Sequence, residues 1–332
     1  MGSRVDQWPS AHVRAVRVHA TARLHLGFLD LSGSLGRRFG SLGVSLENPA
    51  LDLEISNSLG LSVSGPEPER LAAAVRAAAS YLGTPDHVAV KLREAVPSHA
   101  GFGSGTQLSL SVAAGLARLF GRAFHVESAA GALDRGNRSG VGLAAFGSGG
   151  FIVDGGRDTT DRPPPILARH DFPPAWRFLL ILDDRLQGVH GNAETSAFRA
   201  LPPFPEELAQ RLCRLALMQV LPALVLADFQ PFSRGIGEIQ RVVGGFFAPF
   251  QGGGHYTSPA VGRAIADLEA VGVEGVGQSS WGPTGFAIFP SSEEAEHASS
   301  RLRVAHPDLR FLVVGARNRG AELFEKEGLE TP

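Results

Sequence analysis

Residues 96–121 read VPSHAGFGSGTQLSLSVAAGLARLFG. A proline precedes alternating glycines at Gly101, Gly103 and Gly105, and a helical pattern follows that stops at Gly121. The stretch before it, HVAVKLREAV (87–96), alternates apolar and polar residues, so the spacing predicts a strand that runs into a glycine turn and then a helix. Glycine lets backbone approach a ligand closely, and the first turn of a helix leaves N–H groups unpaired, a combination that suits an anion. The hydroxyls of Ser104 and Thr106 add to such a cradle. The same residues also fit a tight capping turn with Ser104 as the cap. The loop lacks the G-K-[ST] ending by which a P-loop sets lysine on the terminal phosphates of ATP.

Lysine is scarce throughout. It occurs only at Lys91 and Lys326, so 29 of the 31 basic residues are arginine, and phosphates or carboxylates must be held by arginine, backbone amides, hydroxyls or metal. The formal net charge of -2 over 332 residues gives no global basic field, which argues against extended nucleic-acid binding or adsorption to a membrane. The N-terminus has no signal-peptide core, and the longest apolar run, from Leu215, is broken by Gln219 and Pro222, so a soluble cytoplasmic protein is expected. The lone Cys213 reads as a core residue and rules out an internal disulfide.

Outward from the loop, period-two runs at VRAVRVHA (13–20), ALDLEIS (50–56) and LSVS (61–64) read as strands, and PEPERLAAAVRAAASYLG (66–83) as a helix closed by Gly83. A polar, proline-rich stretch, residues 157–176, separates these from the apolar strand RFLLILDD (177–184), and a domain boundary is expected at 173/174. The second half alternates helices with strands at EGVGQSS, TGFAIF and RFLVVGAR, an α+β sandwich.

PSHAGFGSGTQ resembles the P-x-x-x-G-L-G-S-S phosphate loop of the GHMP kinase superfamily. ATARLHLGFLD (20–30) resembles its first motif, and GQSSWGPTGFAIF (277–289) falls where its third is expected. The resemblance implies an α+β, two-domain GHMP kinase-like fold, with a ribosomal-S5-domain-2-like N-terminal half (1–173) and a ferredoxin-like C-terminal sandwich (174–332). Many of these kinases carry an S-G-x-D segment whose aspartate serves as base; here RSGVGLAAFGSGG has Gly142 at that place. Together with LPALVLADFQPFSRGIGEIQ (221–240), these segments more closely resemble one branch, the beta-ribofuranosylaminobenzene 5'-phosphate synthase family. That resemblance implies condensation of phosphoribosyl diphosphate with 4-aminobenzoate, or a related 4-substituted benzoate, to a C-riboside 5'-phosphate. Carbon dioxide and diphosphate would leave, with Mg2+ and without ATP, in methanopterin biosynthesis, by a cytoplasmic homodimer. Two readings stay beside it: an ATP-dependent small-molecule kinase of the superfamily, and a non-catalytic protein that binds a phosphate ligand.

Displacing diphosphate from an anomeric carbon calls for anion donors and a metal rather than a nucleophile. The expected phosphate- and substrate-binding set is Arg23, Gly101, Gly103, Ser104, Gly105, Thr106 and Gln107, with Ser279 and Trp281 from the third motif and Arg317 and Arg319 from GARNRGAEL. His25, His99 and Arg138 are the candidates at the reaction centre, a histidine to move a ring proton and Arg138 to aim the ring; a satisfied structural histidine is the plainer reading of each imidazole. For Mg2+ the candidates are Asp30, Asp154, Asp183 and Asp184, with Asp154 in FIVDGG preferred and the Asp183–Asp184 pair read as a strand end.

Overall fold

A computed structural model describes residues 13–160, 162–186, 188 and 200–327. Its first sheet is organised by a long hairpin of β1 (Val13–Asp30) and β2 (Phe39–Asn57). The order is β11–β1–β2–β4–β3, where β3 is Ser62–Ser64, β4 Val88–Glu94 and β11 Glu322–Glu327; β5 (Phe151–Asp154) pairs with β2, and β6 (Ile166–His170) with β5. Helices α1 (Pro68–Leu82), α2 (Ser104–Leu119), α3 (Val126–Ala132) and α4 (Val141–Gly147) accompany this sheet.

The second half holds α5, which runs Glu206–Leu215, a π-helical turn Ala216–Val220 and Leu221–Val225, then α6 (Phe229–Phe247), α7 (Pro259–Ala270) and α8 (Ser292–Ala305). Its antiparallel sheet has the order β10–β7–β9–β8, formed by Arg310–Val314, Arg177–Leu182, Gly285–Phe289 and Val276–Gln278. β7 is apolar on both faces because both are covered. Phe178 and Leu180 join a core with Phe232 and Ile236 of α6, while Leu179 and Ile181 join one with Ile265 of α7 and Leu302 of α8.

The hairpin is longer than alternation alone indicates. From Ala20 to Leu29 most of β1 is buried whichever way the side chains point, since α2, α4, α5 and α6 all pack on it, so the period-two signal is lost there. The register between β1 and β2 shifts at Thr21/Arg23 and again at His25/Gly27, and such bulges re-aim the side chains beside them.

The chain passes from the first sheet to the second between His170 and Arg177, close to the expected boundary. Two features depart from a simple division there. The proline-rich stretch contains β6 and an aromatic junction, in which Phe172 and Trp176 lie 5.7 and 5.0 Å from Phe232 by ring centroids. The charged tail returns as β11 to pair with β1. Cys213, expected in the core, is exposed on α5; its neighbour Leu212 takes the inward position, and consecutive helical residues point about 100° apart.

Candidate active site

The strand, turn and helix expected around the glycines are present: β4 ends at Glu94 and α2 starts at Ser104. Gly101 and Gly103 have φ of 88° and 75°, a region costly for residues with a Cβ. Gly103 is the N-cap residue, so Ser104 does not cap the helix; its hydroxyl accepts from Arg70 Nη2 at 3.2 Å instead. The opening amides of α2 and its macrodipole thus face the loop, an arrangement that favours an anion.

The first and third motifs clasp this loop. The Arg23 amide donates to Phe102 O at 3.1 Å, and Arg23 Nη1 donates to the Gly101 carbonyl. The Arg23 guanidinium lies under Gly103, where a Cβ would sit 3.2 Å from its Cζ. Ser279 Oγ accepts the His25 amide at 3.1 Å and donates to Gly101 O at 2.7 Å, so one buried hydroxyl ties three segments distant in sequence. A side chain at Gly101 would strike the Ser279 carbonyl, which explains why the two glycine-rich turns interlock.

Two arginines that the sequence reading missed complete the surface. A Cβ placed on Gly105 would lie 3.4 Å from Arg70 Nη2 and 3.5 Å from Arg135 Nη1, so two guanidinium groups converge on the first turn of α2. Arg70 is steadied by Glu67 at 2.6 Å, and Arg135 Nε donates to Ser109 Oγ at 3.1 Å. Partial burial, and then the charge of Arg70, hold the Arg135 guanidinium below its ordinary pKa. Like charges held together in this way are relieved by an anion. Arg70 lies on α1 and Arg135 beyond α3, and no local pattern relates them to the loop; the arginine-for-lysine bias is the one available hint.

His25 lies on β1 beside the clasp, 2% exposed, with its ring 4.5 Å from that of Phe28. Burial first, and then the charge of Arg23, push its pKa down to about 3, so the imidazole is neutral and a poor base near neutrality. This corrects the expectation of a proton-moving His25. The ring faces a narrow cleft between β1 and α6 whose lining includes Phe28, Gln240, Phe247 and Gln278. Trp281 is buried behind it, 4.9 Å from Phe247. His99 adopts a left-handed backbone (φ 56°) at the start of the glycine turn, and its carbonyl accepts the Gly188 amide at 2.8 Å. Thr106 and Gln107 occupy the first turn of α2, and Gln107 Nε2 donates to Gly142 O at 2.9 Å.

Other expected residues have structural duties. Asp154 is fully buried and both its oxygens are engaged: Oδ2 accepts from the hydroxyls of Ser41 and Ser139 and from the Gly140 amide at 2.9 Å, and Oδ1 from the Gly156 amide at 3.0 Å. Burial raises its pKa, and the carboxylate lies sealed from solvent among these protein donors rather than open to Mg2+. It fastens the segment headed by Arg138 to the sheet. Asp30 caps its own turn through Ser32, Asp183 binds Ser258 and Arg185, and Asp184 pairs with Arg310. Arg317 is committed to Glu322 at 2.7 Å and Arg319 is an exposed neighbour of the same carboxylate, so both serve the return of the chain toward β11 rather than the loop. Among the described residues no three His, Cys, Asp or Glu side chains converge as a metal cage.

A cationic glycine loop opening a helix, clasped by two further motifs, is an arrangement that favours an anion, and the comparisons agree with the architecture. Residues 68–150 match the GHMP kinases N terminal domain and residues 220–307 the GHMP kinases C terminal family. Homoserine kinase from Cytophaga hutchinsonii superposes with a TM-score of 0.62 at 14% identity, over 97% of this chain and 100% of that one. Mevalonate diphosphate decarboxylase from Enterococcus faecalis gives 0.64 at 13%, over 94% and 99%. At such identities they define the fold alone. Two curated relatives are more specific, both named beta-ribofuranosylphenol 5'-phosphate synthase. That of Methanothermobacter thermautotrophicus is 31% identical, covering 93% of this chain and 98% of the relative; that of Archaeoglobus fulgidus is 33% identical, covering 93% and 99%. The chain has the GHMP kinase fold. It belongs to the beta-ribofuranosylphenol 5'-phosphate synthase family.

Proposed function

We propose that this chain joins phosphoribosyl diphosphate to a 4-substituted benzoate, 4-aminobenzoate or its hydroxy counterpart, forming a C-riboside 5'-phosphate in methanopterin biosynthesis. The observation that carries the reading is the convergence of Arg23, Arg70 and Arg135 on one glycine loop, a charge density suited to a substrate with several phosphates. The names of the curated relatives support the riboside product.

The bonds balance without a nucleophile from the protein. The anomeric C–O bond breaks with its electron pair going to diphosphate, and the ring carbon bearing the carboxylate forms the new C–C bond. The C–CO2 bond then breaks, its electrons restore the aromatic ring, and carbon dioxide leaves. The three guanidinium groups and the α2 amides hold the charge growing on diphosphate. Decarboxylation supplies the ring electrons, so no base is needed at a ring C–H, in keeping with a neutral His25. In this reading Mg2+ enters as the complex of the diphosphate substrate, in keeping with the absence, among the described residues, of three converging His, Cys, Asp or Glu side chains. The reading includes a cytoplasmic homodimer, and the exposed Leu217, Met218, Val225 and Leu226 of the α5 region offer a face for it.

The test supplies phosphoribosyl diphosphate, Mg2+ and carboxyl-labelled 4-aminobenzoate or 4-hydroxybenzoate. One labelled carbon dioxide and one diphosphate per riboside are expected, with no nucleotide added. Diphosphate release with the label retained on the acid would mean an N- or O-riboside and would overturn the reading.

A further inference from the structure

Away from the glycine loop, the second half of the chain holds a groove of about 530 Å3 between α7 and α8. Both helices lie on the face of the second sheet that carries Leu179 and Ile181, opposite the face covered by α6. Leu268, Phe289 and Leu302, each 5% exposed or less, form the floor. The residues that α8 turns to the groove follow helical spacing in two rows. One row, Ala298, Leu302 and Ala305, is apolar, and its alanines are too small to fill the gap. The other, Glu294, His297 and Arg301, is exposed at the lip. Among the described residues the side chains of His297 and Arg301 make no hydrogen bond or ion pair.

We infer that this groove is a second ligand site, separate from the glycine loop, for an aromatic carboxylic acid whose ring lies on the apolar floor and whose carboxylate meets Arg301. The site is independent of the function proposed above. Its volume is that of a small-molecule pocket, and a guanidinium with no partner in the protein offers two parallel N–H groups to a carboxylate. Phe289 gives the floor an aromatic side chain that a flat ring meets by offset or edge contact. A phosphate ester fits less well. α7 ends at the groove, at Ala270 and Val271, so the negative end of its dipole faces the ligand, and Glu294 adds a negative charge at the lip. Both oppose a multiply charged head more than a single carboxylate. Asp267, the other acid of the lining, is occupied by His306, whose Nε2 lies 2.8 Å from Oδ2.

The test titrates naphthalene-2-carboxylate and its neutral amide into the full chain by calorimetry, with inorganic diphosphate present to fill the glycine loop, in wild type, Arg301→Gln and Ala298→Leu. Wild type is expected to bind the acid with a dissociation constant of about 0.1–1 mM, as suits a ligand of this size, and to prefer it over the amide. Arg301→Gln should weaken the acid by about tenfold, the loss of a hydrogen bond to a charged group, and leave the amide unchanged. Ala298→Leu fills the groove without altering charge, so it should weaken acid and amide alike. Arg301 is exposed, so its replacement leaves the fold intact and the comparison interpretable. No binding by wild type, binding that survives both substitutions, or binding that appears only when diphosphate is omitted would overturn the inference.

Discussion

The Ser279 hydroxyl donates to the Gly101 carbonyl at 2.7 Å across 178 residues of sequence, and the same oxygen receives the His25 amide. The phosphate loop is therefore shaped by the second half of the chain as well as by its own glycines. Ser279→Ala leaves the buried His25 N–H without an acceptor, a cost of about 1–3 kcal/mol. The variant should melt at lower temperature and show a raised KM for phosphoribosyl diphosphate, with kcat less affected. Unchanged melting and KM would remove the clasp from the account of the site.

Arg70 and Arg135 give a prediction with opposite signs for the free and the liganded protein. Their guanidinium groups approach the same point above Gly105, and the Arg135 pKa is held down by burial and then by Arg70, so each charge burdens the empty site. Arg135→Gln should leave the free protein as stable as wild type or more so, while the rise in Tm produced by inorganic diphosphate shrinks. KM for phosphoribosyl diphosphate should rise by about ten- to a hundredfold, the effect of losing a hydrogen bond to a charged group. Equal stabilisation of both proteins by diphosphate would place the anion elsewhere.

Local signals carried the loop and missed its neighbours. Strand alternation into Val96, the three glycines and the run to Gly121 are contiguous, so β4, the turn and α2 were legible from spacing alone. Arg70 and Arg135 meet only because α1 and α3 lie beside α2, which no period in the sequence expresses. Asp154 misled for a related reason. A carboxylate between glycines looks like a ligand, but its environment is set by Ser41 and Ser139 from two other segments. The second half of β1 was hidden because burial on both sides erases alternation, and β11 because its exposed, charged residues resemble a tail.

The buried imidazole fixes a pH dependence. The folded pKa of His25, about 3, lies below the ordinary 6.5, so between these values the unfolded chain binds the additional proton. Stability contributed by the neutral ring is complete above about pH 6.5 and is lost as pH falls toward 3, with a slope of at most about 1.4 kcal/mol per pH unit. Denaturant titrations from pH 7 to pH 4 should show this slope in wild type and a shallower one in His25→Phe. A kcat profile between pH 5 and 9 should carry no inflection that His25→Phe removes; such an inflection would restore the imidazole as an acid or base.

In the proposed reading Gly142 sets this site apart from phosphoryl transfer. A Cβ at that position would lie 3.4 Å from Thr106 Cγ2, and the Gly142 carbonyl already accepts from Gln107, so the place where kinases of the superfamily carry an aspartate is here packed against the first turn of the loop helix. ATP should accordingly be neither consumed nor required, though its phosphates compete for the arginines with phosphoribosyl diphosphate. Gly142→Asp should not create a kinase. Its carboxylate would press on Thr106 and bring negative charge toward the surface that Arg70 and Arg135 keep positive, so the expected outcome is a raised KM for phosphoribosyl diphosphate and no release of ADP. Measuring ADP and riboside in the same reactions decides the matter, because ADP formation by the unaltered protein would mean that the loop serves a nucleotide and that the missing aspartate is replaced from elsewhere in the chain.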